Sequence, residues 1–460
     1  MNLDKERLMA TSRMLPLILR FALPCVAAQL VNLLYSIVDR IFIGHIDGVG
    51  SEALAGVGVT TSVIILIIAF SAIVSMGAAP LCAIALGKGE RERALSIMGN
   101  GVSLLVLFAI ATSAITALFM TPLLTSVGAS AQTLPYAEEY LSIYLWGTLF
   151  ALLSVGLNTF ITLQGRADIA MWVVVVGAVM NISLDYIFIN VVSMGVGGAA
   201  LATIISQGVS AVLTMLFLCS KSASLRLKLS ALRPNWSVVM MTLALGVSPF
   251  IMSSTEALVG FALNSTLRDY GDIHIGAMAI IQSALLFAAT PLTGISQGFM
   301  PILSYNYGTG DVSRVKECFK YSFIIMTLTN LAIILFIIIM PSLVANIFSD
   351  DHNLIELTSR VAPIFFFGMT LFGMQRTCQG TFISLGQAKI SILIALLRKV
   401  ILLIPLIYIL SDKFGVMGVY WAESISDGLA AIICLAIFMR LFPRILSKRV
   451  SSETEQVTSS

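Results

Sequence analysis

Pro80-Leu-Cys-Ala-Ile-Ala-Leu-Gly87-Lys-Gly89-Glu90 occurs twice in this chain, the second time as Pro301-Ile-Leu-Ser-Tyr-Asn-Tyr-Gly308-Thr-Gly310-Asp311. The proline, both glycines and the acidic residue keep their places at an offset of 221 (301 − 80), and Arg93 falls on Arg314. Farther out, Thr159-Phe-Ile-Thr-Leu163 recurs as Thr381-Phe-Ile-Ser-Leu385, and Gly195-Val-Gly-Gly198 as Gly415-Val-Met-Gly418. Ala202/Ala422, Ser206/Ser426 and Gly208/Gly428 follow in step, and Pro24 sets beside Pro249. One short match is within chance for apolar helices of similar composition. Four in one order along half a chain are the mark of an internal repeat.

The composition says what solvent the repeat folds in. Hydrophobic residues make up 58% and charged residues 11% of the 460, whereas soluble domains carry roughly 25% charge. Too little polar surface exists to cover such a core in water. Apolar runs long enough to span a bilayer lie near 15–43, 53–86, 95–122, 137–164, 168–191 and 196–220. The second half gives 237–267, 274–306, 318–345, 356–386, 388–410 and 414–442. The chain thus reads as an all-α integral membrane protein of about twelve transmembrane helices. Pro24, Pro80, Pro249, Pro301 and Pro405 mark expected kinks. The first run is too long for a cleaved signal peptide. The six cysteines form no CxxC pair, so neither disulfides nor zinc is expected.

Lysine and arginine collect in alternate loops, from Lys5, Arg7, Arg13 and Arg20 through Lys88-Arg91-Arg93 to Arg440, Arg444, Lys448 and Arg449. By the positive-inside rule both termini are cytoplasmic. An even number of spans per copy makes the two copies parallel. They form two six-helix bundles related by a pseudo-two-fold axis along the membrane normal, a design used by several transporters that rock one bundle against the other. The expected division is an N-lobe at 1–220, a cytoplasmic linker at 221–236, a C-lobe at 237–445 and a disordered, serine-rich tail at 446–460.

A charge at membrane depth costs about 2.5–3.5 kcal/mol on insertion scales and calls for a partner or a function. Asp185 lies in the fifth span, with Asn181 one turn earlier on the same face. Asp39 closes the first span, on one stripe with Gln29, Asn32 and Ser36. Thr203 lies at about the depth of Asp185, and Asn158 sits deeper. Carboxylate, amide and hydroxyl oxygens in a dry bundle suit a sodium ion or a proton-carrying carboxylate. The plainer reading is that the amides and Thr203 only bridge helices and that Asp39 pairs with Arg40.

At these residues the chain resembles the multidrug and toxic compound extrusion (MATE) family. The marks are Leu34-Tyr35 and Asp39-Arg40-Ile-Phe-Ile-Gly44 closing the first span, and Leu54-Ala55-Gly56 opening the second. Ser304-Tyr-Asn-Tyr-Gly308 is similar to the staphylococcal-type multidrug efflux branch. The resemblance implies a secondary antiporter of the cell (inner) membrane: Na+ or H+ enters while an organic, mostly cationic compound leaves by alternating access. It places a cation site in the N-lobe, carried here to Asp39, Asn158, Asn181, Asp185 and Thr203, with Na+ at Asp39, Asn181 and Asp185. Compound-binding candidates, chosen by type and place, are Gln29, Asn32, Ser36, Glu256 and Gln282. Some members carry an aspartate in the tenth span; this chain has only Arg376 there, which favours coupling through the N-lobe.

The second half does not repeat the N-lobe acids: Asp39 falls on Asn264, and Asp185 on Pro405 or Leu406. Glu423 and Asp427, one turn apart, are expected to be neutralised by Arg398 or Lys399. Glu256 is open to two readings, attracting a cationic compound or pairing with Arg376. The alternative function is a flippase for a lipid-linked saccharide, which needs several buried arginines or lysines for pyrophosphate. Three scattered histidines argue against an enzyme. The pairs Gly87/Gly89 and Gly308/Gly310 lack the lysine–serine/threonine ending of a phosphate loop, so they read as helix-stopping turns and no nucleotide is expected. A net charge of +3 gives no reason to expect nucleic acid. Nothing calls for a cofactor beyond the coupling ion, or for more than a monomer in the lipid bilayer.

Overall fold

The computed structural model describes residues 8–46 and 48–458, without the side chains of 257, 261, 264, 272 and 450–458. No strand forms among them, and twelve helices are long and apolar enough to cross a membrane. The first six are α1 (Met14–Gly44), α2 (Gly50–Gly87), α3 (Arg91–Leu118), α4 (Leu134–Thr162), α5 (Ala167–Val191) and α6 (Gly195–Cys219). The second six are α7 (Trp236–Arg268), α8 (Ile273–Gly308), α9 (Val312–Ile339), α10 (His352–Ser384), α11 (Ala388–Phe414) and α12 (Val416–Arg449). The protein is a multi-pass membrane protein. Large apolar side chains such as Trp146, Leu118 and Met439 stand outward, as a lipid-facing surface requires.

The repeat is visible in the packing. In the first half α4 packs on α6 and α1 on α5; in the second α10 packs on α12 and α7 on α11. A short helix, Met120–Ser126, separates α3 from α4, and its counterpart, Pro341–Phe348, separates α9 from α10. The glycine turns read from the sequence are present: Gly89 has φ of 77° and Gly310 of 80°, backbone that side-chain-bearing residues rarely adopt. Their neighbours have diverged. Asp311 caps α9 by accepting from the Arg314 amide at 3.0 Å. Glu90, one methylene longer, does not cap α3 and pairs with Arg93 at 2.9 Å.

The two halves meet mainly along α1 with α8 and α2 with α7 and α8. Small residues let the backbones close in. A Cβ on Gly298 would lie 2.5 Å from the Ala22 Cα, and one on Gly77 would lie 2.9 Å from the Gly246 Cα. Gly77 and Gly298 are 221 apart (298 − 77), so the contacts are themselves a repeated pair. Gly87 and Gly308, also equivalent, meet each other: a Cβ on Gly308 would lie 3.0 Å from the Gly87 Cα and 2.2 Å from the Ile84 carbonyl oxygen. These contacts fall in the half of the bundle where α1 begins and α12 ends. In the opposite halves of α1 and α7, Ser36 and Glu256 are exposed.

Three expectations change in detail. The tail is not irregular from 446: backbone helix continues to Thr458, because extending an existing helix avoids the cost of nucleating one. Lys5, Arg7, Ser459 and Ser460 lie outside the described residues, as does the side chain of Asn264. Pro80 and Pro405 do not interrupt regular helix. Each follows a π-helical turn, Val74–Ala78 and Leu397–Leu403, a widened turn that helices use at sites of irregular bonding. The linker is bound along α3: Asn100 accepts from the Asn235 amide at 2.8 Å, and Ser103 donates to the Leu232 carbonyl at 2.9 Å.

Candidate functional site

Asp39 and Asp185 meet. Asp39 lies near the far end of α1, and Asp185 on α5 directly before a π-helical turn, Tyr186–Val191. Their carboxyl groups are near enough to interact directly. Asp185 is fully buried, and neither of its oxygens has a hydrogen-bond partner among the described residues. The same is true of Asp39 Oδ1 and Asn181 Oδ1. Thr203 on α6 ties the group together: its Oγ1 accepts from Asn181 Nδ2 at 3.5 Å and lies 3.4 Å from the Tyr140 hydroxyl.

Unsatisfied buried oxygens are costly. Two facing carboxylates repel unless a cation or a proton lies between them. Carboxylate, amide and hydroxyl oxygens of this kind can take a cation or share a proton. Among the described residues no cluster of three His, Cys, Asp or Glu gathers to hold a metal.

Of the five residues expected around the cation, Asp39, Asn181, Asp185 and Thr203 come together. Asn158 does not join them. Its amide donates to the Ala170 carbonyl at 3.1 Å, a bridge from α4 to α5, and it lines a neighbouring cavity instead. Sequence reasoning missed Tyr35 and Tyr140, both within electrostatic reach of the two carboxylates. Tyr35 was findable, since it stands four residues before Asp39 and so on the same face. Tyr140 was not, because only the fold brings α4 to α1.

That cavity, about 150 Å³, lies between α1, α4, α5 and α6 and is lined by Gln29, Asn32, Tyr35, Asn158, Asn181 and Gln207, among others. Gln297 from α8 closes it, and Gln29 Nε2 donates to Gln297 Oε1 at 3.1 Å across the two halves. Of the compound-binding candidates, Gln29 and Asn32 line it; Ser36, Glu256 and Gln282 do not. Gln282 turns back on its own helix toward Met278 Sδ.

Glu423 and Asp427 are paired. Arg398 grips Asp427 through Nε at 2.6 Å and Nη2 at 3.0 Å, and Lys399 Nζ meets Glu423 at 2.8 Å. Both basic residues lie in the π-helical turn Leu397–Leu403.

The MatE family profile matches residues 24–187 and 249–409, about seven-tenths of the chain and parts of both copies of the repeat. The chain belongs to the MatE family. As a MATE protein it is a membrane transporter and not an enzyme. It is 22% identical over 433 residues to the multidrug export protein MepA of Staphylococcus haemolyticus (strain JCSC1435), covering 94% of this chain and 95% of that one. A solved MATE structure in a bent conformation superposes with a TM-score of 0.88 at 22% identity, covering 97% of this chain and 99% of the other. An outward-facing multidrug resistance MATE family transporter gives 0.86, also at 22% identity, with 95% and 99% covered. These likenesses fix the MATE fold.

Proposed function

We propose that this MATE protein is a secondary multidrug exporter that exchanges an amphipathic, mostly cationic compound for Na+ or H+. The carrying observation is the Asp39–Asp185 pair with its unsatisfied oxygens, two acids that need a cation or a proton to share the bilayer interior. The kinship to MepA, a multidrug export protein, supports the cargo class. With both termini cytoplasmic, the orientation that the lysine and arginine distribution favours, the Gly87–Gly308 contact closes the cytoplasmic end and leaves the opposite end for exchange with the outside.

Coupling runs along α1. Ala22 and Gln29 touch α8, while Asp39 sits about 15 Å farther on, at 1.5 Å per residue. A cation entering between Asp39 and Asp185 removes their repulsion and draws the ends of α1 and α5 together. That changes the seat of α1 against the other lobe, and compound in the amide-lined cavity competes for the same helix. The exporter works as a monomer, with no cofactor beyond the coupling ion.

The test is efflux of ethidium from proteoliposomes under sodium and proton gradients imposed separately. Export that follows either gradient supports the reading and names the ion. Movement under neither, with the protein intact, refutes it.

A further inference from the structure

The internal repeat begins before the first span. Residues 8–11 form a helical turn, and Leu229–Leu232, 221 later (229 − 8), form another; Leu8 and Ala10 recur as Leu229 and Ala231. Extended backbone, at Arg13 in one case and at Arg233 and Asn235 in the other, then leads into α1 or α7. Each turn is held by the opposite half. The first lies on α8 and α9: Asn306 Nδ2 donates to the Met9 carbonyl at 3.1 Å, and Arg314 Nη2 donates to the Met9 and Ser12 carbonyls at 2.9 and 3.0 Å. Arg314 Nε also donates to Asn306 Oδ1 at 2.9 Å, which fixes the two side chains together. The second lies on α3, the equivalent of α9. There Ser103 and Asn100 donate to the Leu232 and Arg233 carbonyls, and a Cβ on Gly99 would lie 2.1 Å from the Ala231 carbonyl oxygen. Met9, Asn306 and Asn100 are fully buried.

Chain connectivity explains the second seat, because the linker leaves the first half. It does not explain the first, since residues 8–12 precede the first half in the chain. That hold comes from the divergence of the two turns. Asp311 puts its carboxylate on the Arg314 amide and leaves the guanidinium for the Met9 and Ser12 carbonyls, whereas Glu90 takes the guanidinium of the equivalent Arg93. Slack is small: the Ser12 carbonyl is held, and the Leu17 amide already bonds to the Arg13 carbonyl. One residue, about 3.5 Å when extended, separates the held point from the helix. Parting the end of the bundle where Gly87 meets Gly308 by more than that bends α1 or unseats the segment. We infer that the two segments are crossed straps that hold this end closed, each tying the first helix of one half to the other half. Arg314 is the positioning residue of the first strap.

The test reads conformation and needs no gradient, so failure of the export reading would leave it standing. The whole protein in proteoliposomes is followed by amide hydrogen exchange. Pulsed EPR reads the distance between spin labels on cysteines at Lys88 and Thr309, with Cys219 replaced. Arg314→Gln speeds exchange across residues 8–17 on the order of ten- to a hundredfold, as loss of hydrogen bonds from a charged donor implies, and enlarges a longer-distance population. Ser103→Ala, a milder change on the other strap, speeds exchange across residues 229–239 and shifts the distances the same way. Arg93→Gln, at the equivalent position but engaged with Glu90, changes neither. Unchanged exchange across residues 8–17 in Arg314→Gln overturns the proposal, and so does a loosened segment with unchanged distances, which leaves static packing. An equal shift in Arg93→Gln also overturns it, as an effect of lost charge alone. Faster exchange throughout the chain in Arg314→Gln marks a general structural role and does the same.

Discussion

Replacing Gly308 by alanine tests whether the contact between the two repeats is a gate. Its new Cβ would lie 2.2 Å from the Ile84 carbonyl oxygen, where ordinary contact begins at 3.4 Å. The ends of α2 and α8 must then part by the difference (3.4 − 2.2), about 1.2 Å, or the helices must deform. The obstacle is backbone, so no rotamer change relieves it. Overpacking of this kind costs about 1–3 kcal/mol. If the contact breaks when the transporter opens to the cytoplasm, that cost falls on the closed state alone and shifts the equilibrium roughly 5- to 150-fold toward the open one. Spin labels on cysteines placed at the exposed turn residues Lys88 and Thr309, with exposed Cys219 replaced, read the separation by pulsed EPR. The expected result is a second, longer distance that grows in Gly308→Ala and also in Gly87→Ala, whose Cβ would meet the Tyr305 carbonyl at 2.1 Å. A lowered melting temperature with one unchanged distance would refute the gate and leave static packing.

Asp185→Asn should remove gradient-driven efflux while the protein stays folded in the membrane, since it deletes the charge that needs the cation and keeps the shape. Normal export by that variant would remove the dyad from the coupling step. Arg398→Met should lower thermal stability sharply, by about 3–5 kcal/mol, because Asp427 is left charged and buried. The double change Arg398→Met with Asp427→Leu should recover most of that loss, and a double variant as unstable as the single would show that more than the ion pair was broken.

The fold was legible because its signals are additive along the chain. Twelve apolar runs, the repeat at 221 and the glycine turns each need only local sequence, and helices satisfy their own backbone in lipid. Two of the intramembrane partnerships were legible for a similar reason: Glu423 and Asp427 lie one turn apart and had to be neutralised by nearby bases, as Arg398 and Lys399 do. What failed was choice among polar residues of the right type. Asn158 and Asn181 are the same residue type, yet one bridges to the Ala170 carbonyl and the other donates to Thr203. Which does which depends on helix rotation and on the neighbours α4 and α5 bring, and hydropathy is silent about both. The tyrosines were passed over because a buried phenol and a lipid-facing one look alike in sequence.

The divergence between the two copies carries the functional argument further than their likeness. At the membrane end where α1 begins, the repeat is kept almost as a mirror: Gly87 meets Gly308, and Gly77 and Gly298 each receive a facing helix. Symmetry there suits two bodies that must separate and rejoin. Within the bilayer the copies differ in kind. The N-lobe holds two acids with no base on them beyond Arg40, next in the chain to Asp39, whereas in the C-lobe Asp427 and Glu423 are ion-paired. An acid already matched by a base has no use for an incoming cation; an open pair of acids does. In the proposed mechanism the lobe that responds to the ion is the N-lobe. In that mechanism its response passes to the C-lobe through α1, the helix that carries one acid at its far end and the Ala22 and Gln29 contacts to α8 nearer its start.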